Sequence, residues 1–371
     1  LTTLGASRCP SVDAFLLAMP SHGASDFYLH PGDRESGFKV RGQIQKLDGV
    51  WDDLTIRQAV AGLLRPEQNK FFDENHWVDF SVSLGELRFR AHARETQDGI
   101  QAVFRLIPTV PPTIDELSML QEQRDVIRGF AKLRNGLILI AGSTGSGKST
   151  TIAALMGEIL KGTRSVITLE SPIEFNLSSC RKREGLVSQS EVGLHVASFA
   201  QGIKNAMRSA PDVIMVGEIR DIEEADAALQ AAETGHLVVA TIHARGARSA
   251  IDRVLGMYEG GTGEARIRTQ IAASLQGVVY QTLVPTKDQQ SRVAACEILI
   301  GTPGIANQIR KNDLHQIDSA IQSGGKFGMA TLDDTLLALA RQGKISPASA
   351  IEFAKDPDML KRTGNFRLEA V

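Results

Sequence analysis

Nine residues at positions 142–150 read GSTGSGKST and match the phosphate-binding pattern GxxxxGK[ST]. They follow an apolar run at 137–141 and precede a predicted helix at 150–160, which is the strand–loop–helix context that such a loop needs. Glycines let backbone N–H groups turn toward a phosphate chain, and the start of a helix adds partial positive charge. This stretch therefore predicts a nucleotide-phosphate site.

Each residue of the loop has an expected part in holding the nucleotide. Lys148 should reach the β- and γ-phosphates, and Ser149 should ligate Mg²⁺ through its hydroxyl group. The rest of the loop should surround the phosphates with backbone N–H groups. The predicted nucleotide-binding residues are Gly142, Ser143, Thr144, Gly145, Ser146, Gly147, Lys148, Ser149 and Thr150.

A carboxylate for the metal follows the apolar strand predicted at 213–216. Ligands of open α/β sheets bind at the carboxyl ends of the strands, where Glu218 lies. Glu218 can hold Mg²⁺ there and completes a predicted metal site with Ser149. The adjacent acidic pair of many phosphate-loop ATPases is missing, so a carboxylate from elsewhere must polarise the attacking water.

The stretch ITLESPIEF at 167–175 supplies candidates for that second carboxylate, at the end of another strand that Pro172 terminates. Glu174 is the favoured water-orienting acid and Glu170 its support, because a general base must come within hydrogen-bond distance of the water. A solvated surface glutamate is the alternative for either residue.

Two histidines flank the strand predicted at 237–242. His243 follows its carboxyl end, on the predicted γ-phosphate side, which favours a sensor role over a structural one. For His236 the two interpretations are balanced. Metal and nucleophile roles are disfavoured, because no second ligand is spaced for them.

The elements that must position these residues alternate between strand and helix from position 113 onward. Short apolar runs at 137–141, 165–169, 213–216 and 237–242 have helical stretches between them, one of them at 221–234. This alternation predicts a mostly parallel sheet with helices on both faces. After Glu264 the pattern becomes mainly helical, with one strand pair at 281–284 and 292–300.

Residues 1–107 are predicted to form a small α+β domain. Its helices are expected at 11–18 and 56–64, and its strands at 26–30, 37–44, 87–94 and 101–107. Three prolines within 108–112 cannot continue a helix or a central strand, so 108–113 is predicted to be an inter-domain linker, with a rigid buried connector as the alternative. The ATPase domain is then expected at 114–371.

Composition narrows the classes of protein. The 371 residues are 42% hydrophobic and 23% charged, with a formal net charge of −2, as in ordinary globular proteins. The balanced charge and the lack of interleaved aromatic and basic residues disfavour a nucleic-acid partner or a helicase. The three cysteines Cys9, Cys180 and Cys296 form no CxxC pair, so reduced thiols and a cytoplasmic location are expected. No run of 18 apolar residues is present, so no integral membrane segment is expected.

In their order and spacing, GSTGSGKST, TLESPIEF, DVIMVGEIRD and AAETGHLVVATIH resemble the Walker A, Asp, Walker B and His boxes of the secretion-type ATPases. Within that superfamily the chain most resembles the PilT twitching-motility ATPases, which retract pili, and the likeness covers nearly the whole chain. GASD at 23–26, AVFRLIP at 102–108 and SAIQSGG at 319–325 are similar to further stretches of that family.

The resemblance implies a PAS-like N-terminal domain, a RecA-like ATPase domain with C-terminal helices, and a homohexameric ring with nucleotide at the domain interface. It implies ATP and Mg²⁺ as ligands, a platform protein as partner, and peripheral association with the inner membrane. It assigns Glu174 as the catalytic acid and Glu218 to Walker B, and places His236 and His243 in the His box. An arginine of the N-terminal domain would complete the site, and the candidates Arg88, Arg90 and Arg105 stay open.

Two departures from the family pattern keep a second function open. The Asp box usually reads EDPIEF, and here Ser171 replaces the aspartate. The retraction signature AIRNLIR reads GIANQIR at 304–310. A DotB-like ATPase of a type IV secretion or conjugation apparatus is therefore the alternative. Pilus-extension and type II secretion ATPases, which carry a four-cysteine zinc subdomain, and a non-hydrolysing binding module are disfavoured.

Overall fold

The computed structural model describes residues 11–40, 42–85, 87–107, 110–258 and 263–364. The chain separates into two compact units, with the division between Thr109 and Val110. Pro108 and Thr109 of the predicted linker, and Cys9, lie outside the described residues. The mixed α/β fold predicted from the sequence is confirmed.

Unit 1 is built on a six-stranded antiparallel sheet in the order β4-β3-β1-β8-β7-β6, with a short β2–β5 ribbon beside it. Its core joins Phe27, Phe89 and Phe104 of the sheet to apolar side chains of three helices. In chain order its elements are α1 Val12–Ala18, β1 Ala24–Leu29, β2 Gly32–Asp33, β3 Gly37–Val40, β4 Gln43–Lys46, β5 Val50–Trp51, α2 Asp53–Leu63, α3 Pro66–Asn75, β6 Trp77–Leu84, β7 Leu87–Thr96 and β8 Gly99–Ile107.

The prediction for unit 1 was wrong at one strand, and it missed the helix that begins at Pro66. The single strand expected at 37–44 is a hairpin of β3 and β4, and Gly42 has a φ of +83° in the turn, which glycine adopts without strain. Pro66 was expected to stop a helix, and it also begins α3, because a proline at the first helical position has no N–H bond to lose.

Unit 2 contains the remaining elements. They are α4 Gln121–Phe130, β9 Gly136–Ala141, α5 Lys148–Ile159, β10 Ser165–Glu170, β11 Leu186–Glu191, α6 Phe199–Ala206, β12 Val213–Val216, α7 Ile222–Glu233, β13 Leu237–Ile242, α8 Ala247–Gly256, α9 Glu264–Ser274, β14 Leu275–Pro285, β15 Arg292–Ile300, α10 Pro303–Lys311, α11 Ile317–Ser323, α12 Leu332–Arg341, α13 Pro347–Phe353 and α14 Pro357–Gly364.

The seven strands of unit 2 form one sheet in the order β11-β10-β12-β13-β9-β14-β15. Neighbours from β11 to β14 run parallel, and β15 pairs antiparallel with β14. Side chains of a strand alternate between the faces, so Leu137 and Leu139 of β9 join a core with α6 to α11, while Ile138 and Ile140 join a core with α4 and α5. The predicted parallel sheet with helices on both faces is confirmed.

The carboxyl ends of β9, β10, β12 and β13 meet at one edge of this sheet because the four strands are parallel and in register. The phosphate-loop sequence leaves β9 at this edge, and the predicted acids leave β10 and β12. Helices α12 to α14 pack against the carboxyl end of β14 and the start of β15 in a separate apolar cluster. Within the described residues, no helix is long and apolar enough to cross a membrane.

Candidate nucleotide site

The loop between β9 and α5 has the backbone shape of a phosphate cradle. Gly142, Gly145 and Gly147 have φ values of +152°, +77° and +87°, which glycine tolerates and side-chain-bearing residues avoid. Gly147 is the N-cap of α5, so the free N–H groups of the first turn of that helix face the loop. A Cβ atom at Gly142 would lie 2.5 Å from the carbonyl oxygen of Gln281, so only glycine fits there.

Lys148 is the first residue of α5 and folds back over the loop. Its Nζ donates hydrogen bonds to the carbonyl oxygens of Gly142 and Ser143, both at 2.8 Å. Partial burial lowers the pKa of the Lys148 amino group, and the carboxylates of Glu218 and Glu174 act against that shift. The lysine thus lies close enough to both predicted acids to feel their charge.

Gln281 of β14 anchors the phosphate loop from below. This side chain is 2% exposed; its Nε2 donates to the carbonyl oxygen of Ser146 at 2.7 Å, and its Oε1 accepts from Thr151 Oγ1 at 2.7 Å. A Cβ atom at Gly147 would lie 2.7 Å from Gln281 Nε2. One amide therefore joins the loop and the first turns of α5 to the sheet.

Glu218 lies at the carboxyl edge, where β12 ends. Its carboxylate accepts from Arg220 Nε at 2.6 Å through Oε2, and its Oε1 is 3.2 Å from His243 Nε2. A side-chain hydrogen bond also joins β13 to the residue that follows β12, because Thr241 Oγ1 donates to the carbonyl oxygen of Gly217. Glu218 and His243 thus form a contact pair.

Glu170 and Glu174 differ in burial although they are four residues apart. Glu170 is 7% exposed, and its Oε1 accepts from Thr168 Oγ1 at 2.6 Å and from Gln189 Nε2 at 2.9 Å. Burial raises the pKa of the Glu170 carboxyl group. Glu174 is exposed on the loop after β10. Glu170 is therefore a buried anchor, whereas Glu174 is open to solvent.

The loop that carries Glu174 is held by β11, a strand that the sequence pattern did not predict. Gln189 of β11 donates to the carbonyl oxygen of Phe175 at 2.9 Å and accepts from the Leu177 amide at 2.8 Å. Because Gln189 also binds Glu170, a single amide fixes both ends of the Glu174 loop.

The phosphate loop, the three glutamates and His243 line one cleft with a cavity volume of about 180 Å³. It lies at the carboxyl edge of the sheet, within unit 2. The predicted site residues that line it are Thr144, Gly145, Lys148, Ser149, Glu170, Glu174, Glu218 and His243, and Ser171 and Arg220 line it too.

Other predicted site residues lie elsewhere. His236 precedes β13 at the opposite edge of the sheet from His243, and its Nδ1 lies 3.0 Å from the carbonyl oxygen of Ala231. Six residues of extended strand separate the two histidines, a distance of about 20 Å. Within this chain, His236 is not brought to the cleft.

The three arginine candidates belong to unit 1 and share one face of its sheet. Arg90 of β7 pairs in register with Arg105 of β8, and Arg88 lies two residues from Arg90. The intervening Phe89 is fully buried in the core, so the arginines lie on the opposite face. Arg105 Nε donates to Asp26 Oδ1 at 2.8 Å, and Asp26 belongs to the GASD stretch.

Sequence reasoning missed Gln189, Arg220 and Gln281. Arg220 stands two residues after Glu218 in the quoted Walker B stretch, so its position offered a signal. Gln189 lies in the polar strand LVSQSE, and Gln281 lies far along the chain from the loop it holds. Neither glutamine carries a local pattern that would have revealed its contacts.

Comparison with known proteins places the chain among secretion and pilus ATPases. A family model described as type II/IV secretion system protein matches residues 11–331. The type IV pilus retraction ATPase PilT of Pseudomonas aeruginosa is 40% identical over 340 residues, which cover 91% of this chain and 96% of that protein. The solved structure of the pilus retraction motor PilT with bound ADP matches with a TM-score of 0.85 at 32% identity, covering 95% of this chain and all of that one. The ATPase DotB of Legionella pneumophila matches with a TM-score of 0.80 at 28% identity, covering 94% and 97%.

Proposed function

Because the chain belongs to the type II/IV secretion system protein family, we propose that it is an ATP-hydrolysing motor subunit that powers the retraction of type IV pili. The observation that carries this proposal is the single cleft that gathers the phosphate loop, Glu174, Glu218 and His243. The likeness to a retraction ATPase over almost the whole length of both chains supports the same function.

The cleft suits ATP hydrolysis step by step. The first N–H groups of α5 and the loop amides bind the phosphates, and Lys148 can exchange the loop carbonyl oxygens for the β- and γ-phosphates. Glu174, exposed on the wall of the cleft, accepts a proton from the water that attacks the γ-phosphate. Glu170 stays buried beneath it and supports the loop.

The same cleft fits Mg²⁺. Ser149 and Glu218 line it and present hard oxygen ligands, which Mg²⁺ prefers. Within the described residues no group of three or more His, Cys, Asp or Glu side chains could hold a metal ion. Ser149 and Glu218 would therefore hold the ion together with the nucleotide, and the ion would supply positive charge that offsets charge on the transferred phosphoryl group.

The working motor in this proposal is a homohexameric ring in the cytoplasm, bound peripherally at the inner membrane to a platform protein. In that ring, Arg88, Arg90 or Arg105 of unit 1 serves as the arginine that stabilises transition-state charge and couples hydrolysis to movement. His236 is left out of the phosphate-binding set because it lies at the opposite edge of the sheet.

The altered signature at 304–310 forms helix α10, and its retained isoleucines keep that helix in place. Ile305 and Ile309 are buried against the sheet core, whereas the altered Gly304, Ala306 and Gln308 are exposed or half-buried. The three substitutions therefore change the solvent-facing side chains of α10, and the buried isoleucines that pack it against the core are kept. The DotB-like secretion role stays the second candidate because the match to DotB covers the chain almost as fully.

The testing experiment replaces the chromosomal copy with Lys148→Ala in the source bacterium and scores pilus retraction and substrate export side by side. Retraction should stop and surface pili should accumulate, while export continues. A Lys361→Met strain, altered at an exposed lysine of α14, is the matched control and should retract normally. Loss of export with normal retraction would reject the retraction motor and favour the DotB-like role.

A further inference from the structure

A buried carboxylate on β15 lies outside the cleft. The side chain of Glu297 is 5% exposed, and both its oxygens accept hydrogen bonds from Lys355 Nζ, at 2.8 Å and 2.7 Å. Glu297 Oε1 also accepts from the backbone amide of Ala247 at 2.8 Å. Burying a carboxylate is unfavourable unless it is paired, and here a lysine that is itself 42% exposed satisfies both oxygens of Glu297.

The amide that Glu297 binds begins the helix that follows the His box. Ala247 is the first residue of α8, and the segment 243–246 connects it to the end of β13. His243 starts that segment and meets Glu218 at 3.2 Å. A Cβ atom at Gly246 would lie 2.8 Å from Lys355 Nζ, so the glycine lets the ion pair approach the backbone.

Lys355 is itself fixed to the C-terminal helices. It lies between α13 and α14, and its amide donates to Asp333 Oδ1 at 2.7 Å. The amide of Asp356 donates to Asp333 Oδ2 at 2.9 Å. Asp333 is 7% exposed in the first turn of α12, so the backbone around Lys355 is held on that helix.

We infer that Glu297 and Lys355 are positioning residues for ATP hydrolysis, which hold the segment 243–246 through the first amide of α8 and so set the contact of His243 with Glu218. The inference rests on the proposed function, because that contact matters only if the cleft hydrolyses ATP. Neither residue lines the cleft, so neither touches the reacting atoms. The ion pair also joins the backbone around Lys355, which α12 holds, to the first residue of α8.

The test measures steady-state ATP hydrolysis and ADP affinity of the full chain with Lys355→Met, Lys355→Arg and the double variant Glu297→Gln with Lys355→Met. Lys355→Met should lower kcat about tenfold, while KM and the ADP affinity stay within about twofold, because the phosphate loop is untouched. Lys355→Arg keeps the charge and should recover most of kcat. Backbone amides at 244–250 should exchange hydrogen faster in Lys355→Met.

The double variant separates positioning from a merely structural role. The double variant has no unpaired buried charge. The carboxamide oxygen of the new glutamine can still accept from the Ala247 amide. The thermal stability of the double variant should therefore approach that of the parent. Its kcat should stay low because the lysine tether is missing. Lys361→Met should change nothing.

Two results would overturn the inference. A folded double variant with parental kcat would show that the pair only satisfies a buried charge, and would leave the proposed function intact. Absence of ATP turnover in the parental chain would overturn the proposed function, and this inference with it.

Discussion

Glu174 and Glu218 line the same cleft in different surroundings. Glu218 is 16% exposed and is contacted by Arg220 and His243, which hold its carboxylate in one direction. Glu174 is exposed on a loop that β11 supports from behind. A fixed carboxylate suits a metal ligand, and a hydrated one suits a group that meets water.

Removing either negative charge should separate binding from hydrolysis. Glu174→Gln and Glu218→Gln should bind nucleotide with parental affinity and lose about 10²- to 10⁴-fold in kcat, the usual effect of losing an acid–base group or metal contact. Fluorescent ADP titration and phosphate release measure the two quantities. Lys148→Ala should instead weaken binding itself. Parental turnover by Glu174→Gln would show that another group activates the water.

Gln281 forms two hydrogen bonds, one to the phosphate loop and one to α5, and the two can be removed separately. Gln281→Met frees the Ser146 carbonyl and loosens the loop, so ADP affinity should fall about tenfold, or roughly 1.4 kcal/mol. Thr151→Val removes only the bond to Gln281 Oε1, and should lower the melting temperature while leaving affinity near parental. Equal loss of affinity in both variants would contradict a role specific to the loop.

Among the elements, β11 shows how a polar edge strand supports the site. Four of its six residues are polar, so it has no apolar face, yet it pairs with β10 along its full length. That pairing places Gln189 beneath the Glu174 loop, where it satisfies the Phe175 carbonyl and the Leu177 amide. The strand thus stabilises the geometry of a loop and adds little to the apolar core.

Substituting Gln189 should therefore affect kcat more than nucleotide affinity. Gln189→Leu leaves three polar groups around the loop without their partner, so Glu174 should lose its position and kcat should fall about tenfold. Leu186→Ser, at a residue of the same strand that is 70% exposed, is the matched control and should behave like the parent. Steady-state kinetics would contradict this role if Gln189→Leu raised KM for ATP and left kcat unchanged.

At the scale of the whole molecule, the proposed motor needs residues of both units. The phosphate loop and acids belong to unit 2, whereas the arginine candidates lie on the outer face of the unit 1 sheet. In the proposed ring, an arginine of unit 1 would serve the cleft, and each subunit would then depend on its neighbours.

Mixing subunits tests that dependence. The purified chain with ATP should sediment at about six times the 40.1 kDa mass of one chain. Adding Lys148→Ala subunits should lower turnover more steeply than their fraction in the mixture, because one inactive subunit interrupts its ring. Lys361→Met subunits should leave turnover unchanged. A strictly proportional loss with Lys148→Ala would argue for independent subunits.

Local patterns revealed the parts of the site that lie along one stretch of chain. GSTGSGKST carries its own turn chemistry, and the apolar strands before Glu218 and His243 placed these residues at the carboxyl edge that the structure shows. The hairpin at Gly42 and the strand β11 were not predicted. The turn at Gly42 does not interrupt the alternating pattern around it, and β11 is largely polar and lacks such a pattern.

The residue types and their order thus establish a phosphate loop, a parallel sheet to present it and the acids that follow, because these depend on neighbours in sequence. The contacts of Gln281 with Ser146, of Gln189 with Phe175 and of Lys355 with Glu297 exist only in the folded chain. Each of them joins a strand residue to a loop that lies elsewhere in the sequence.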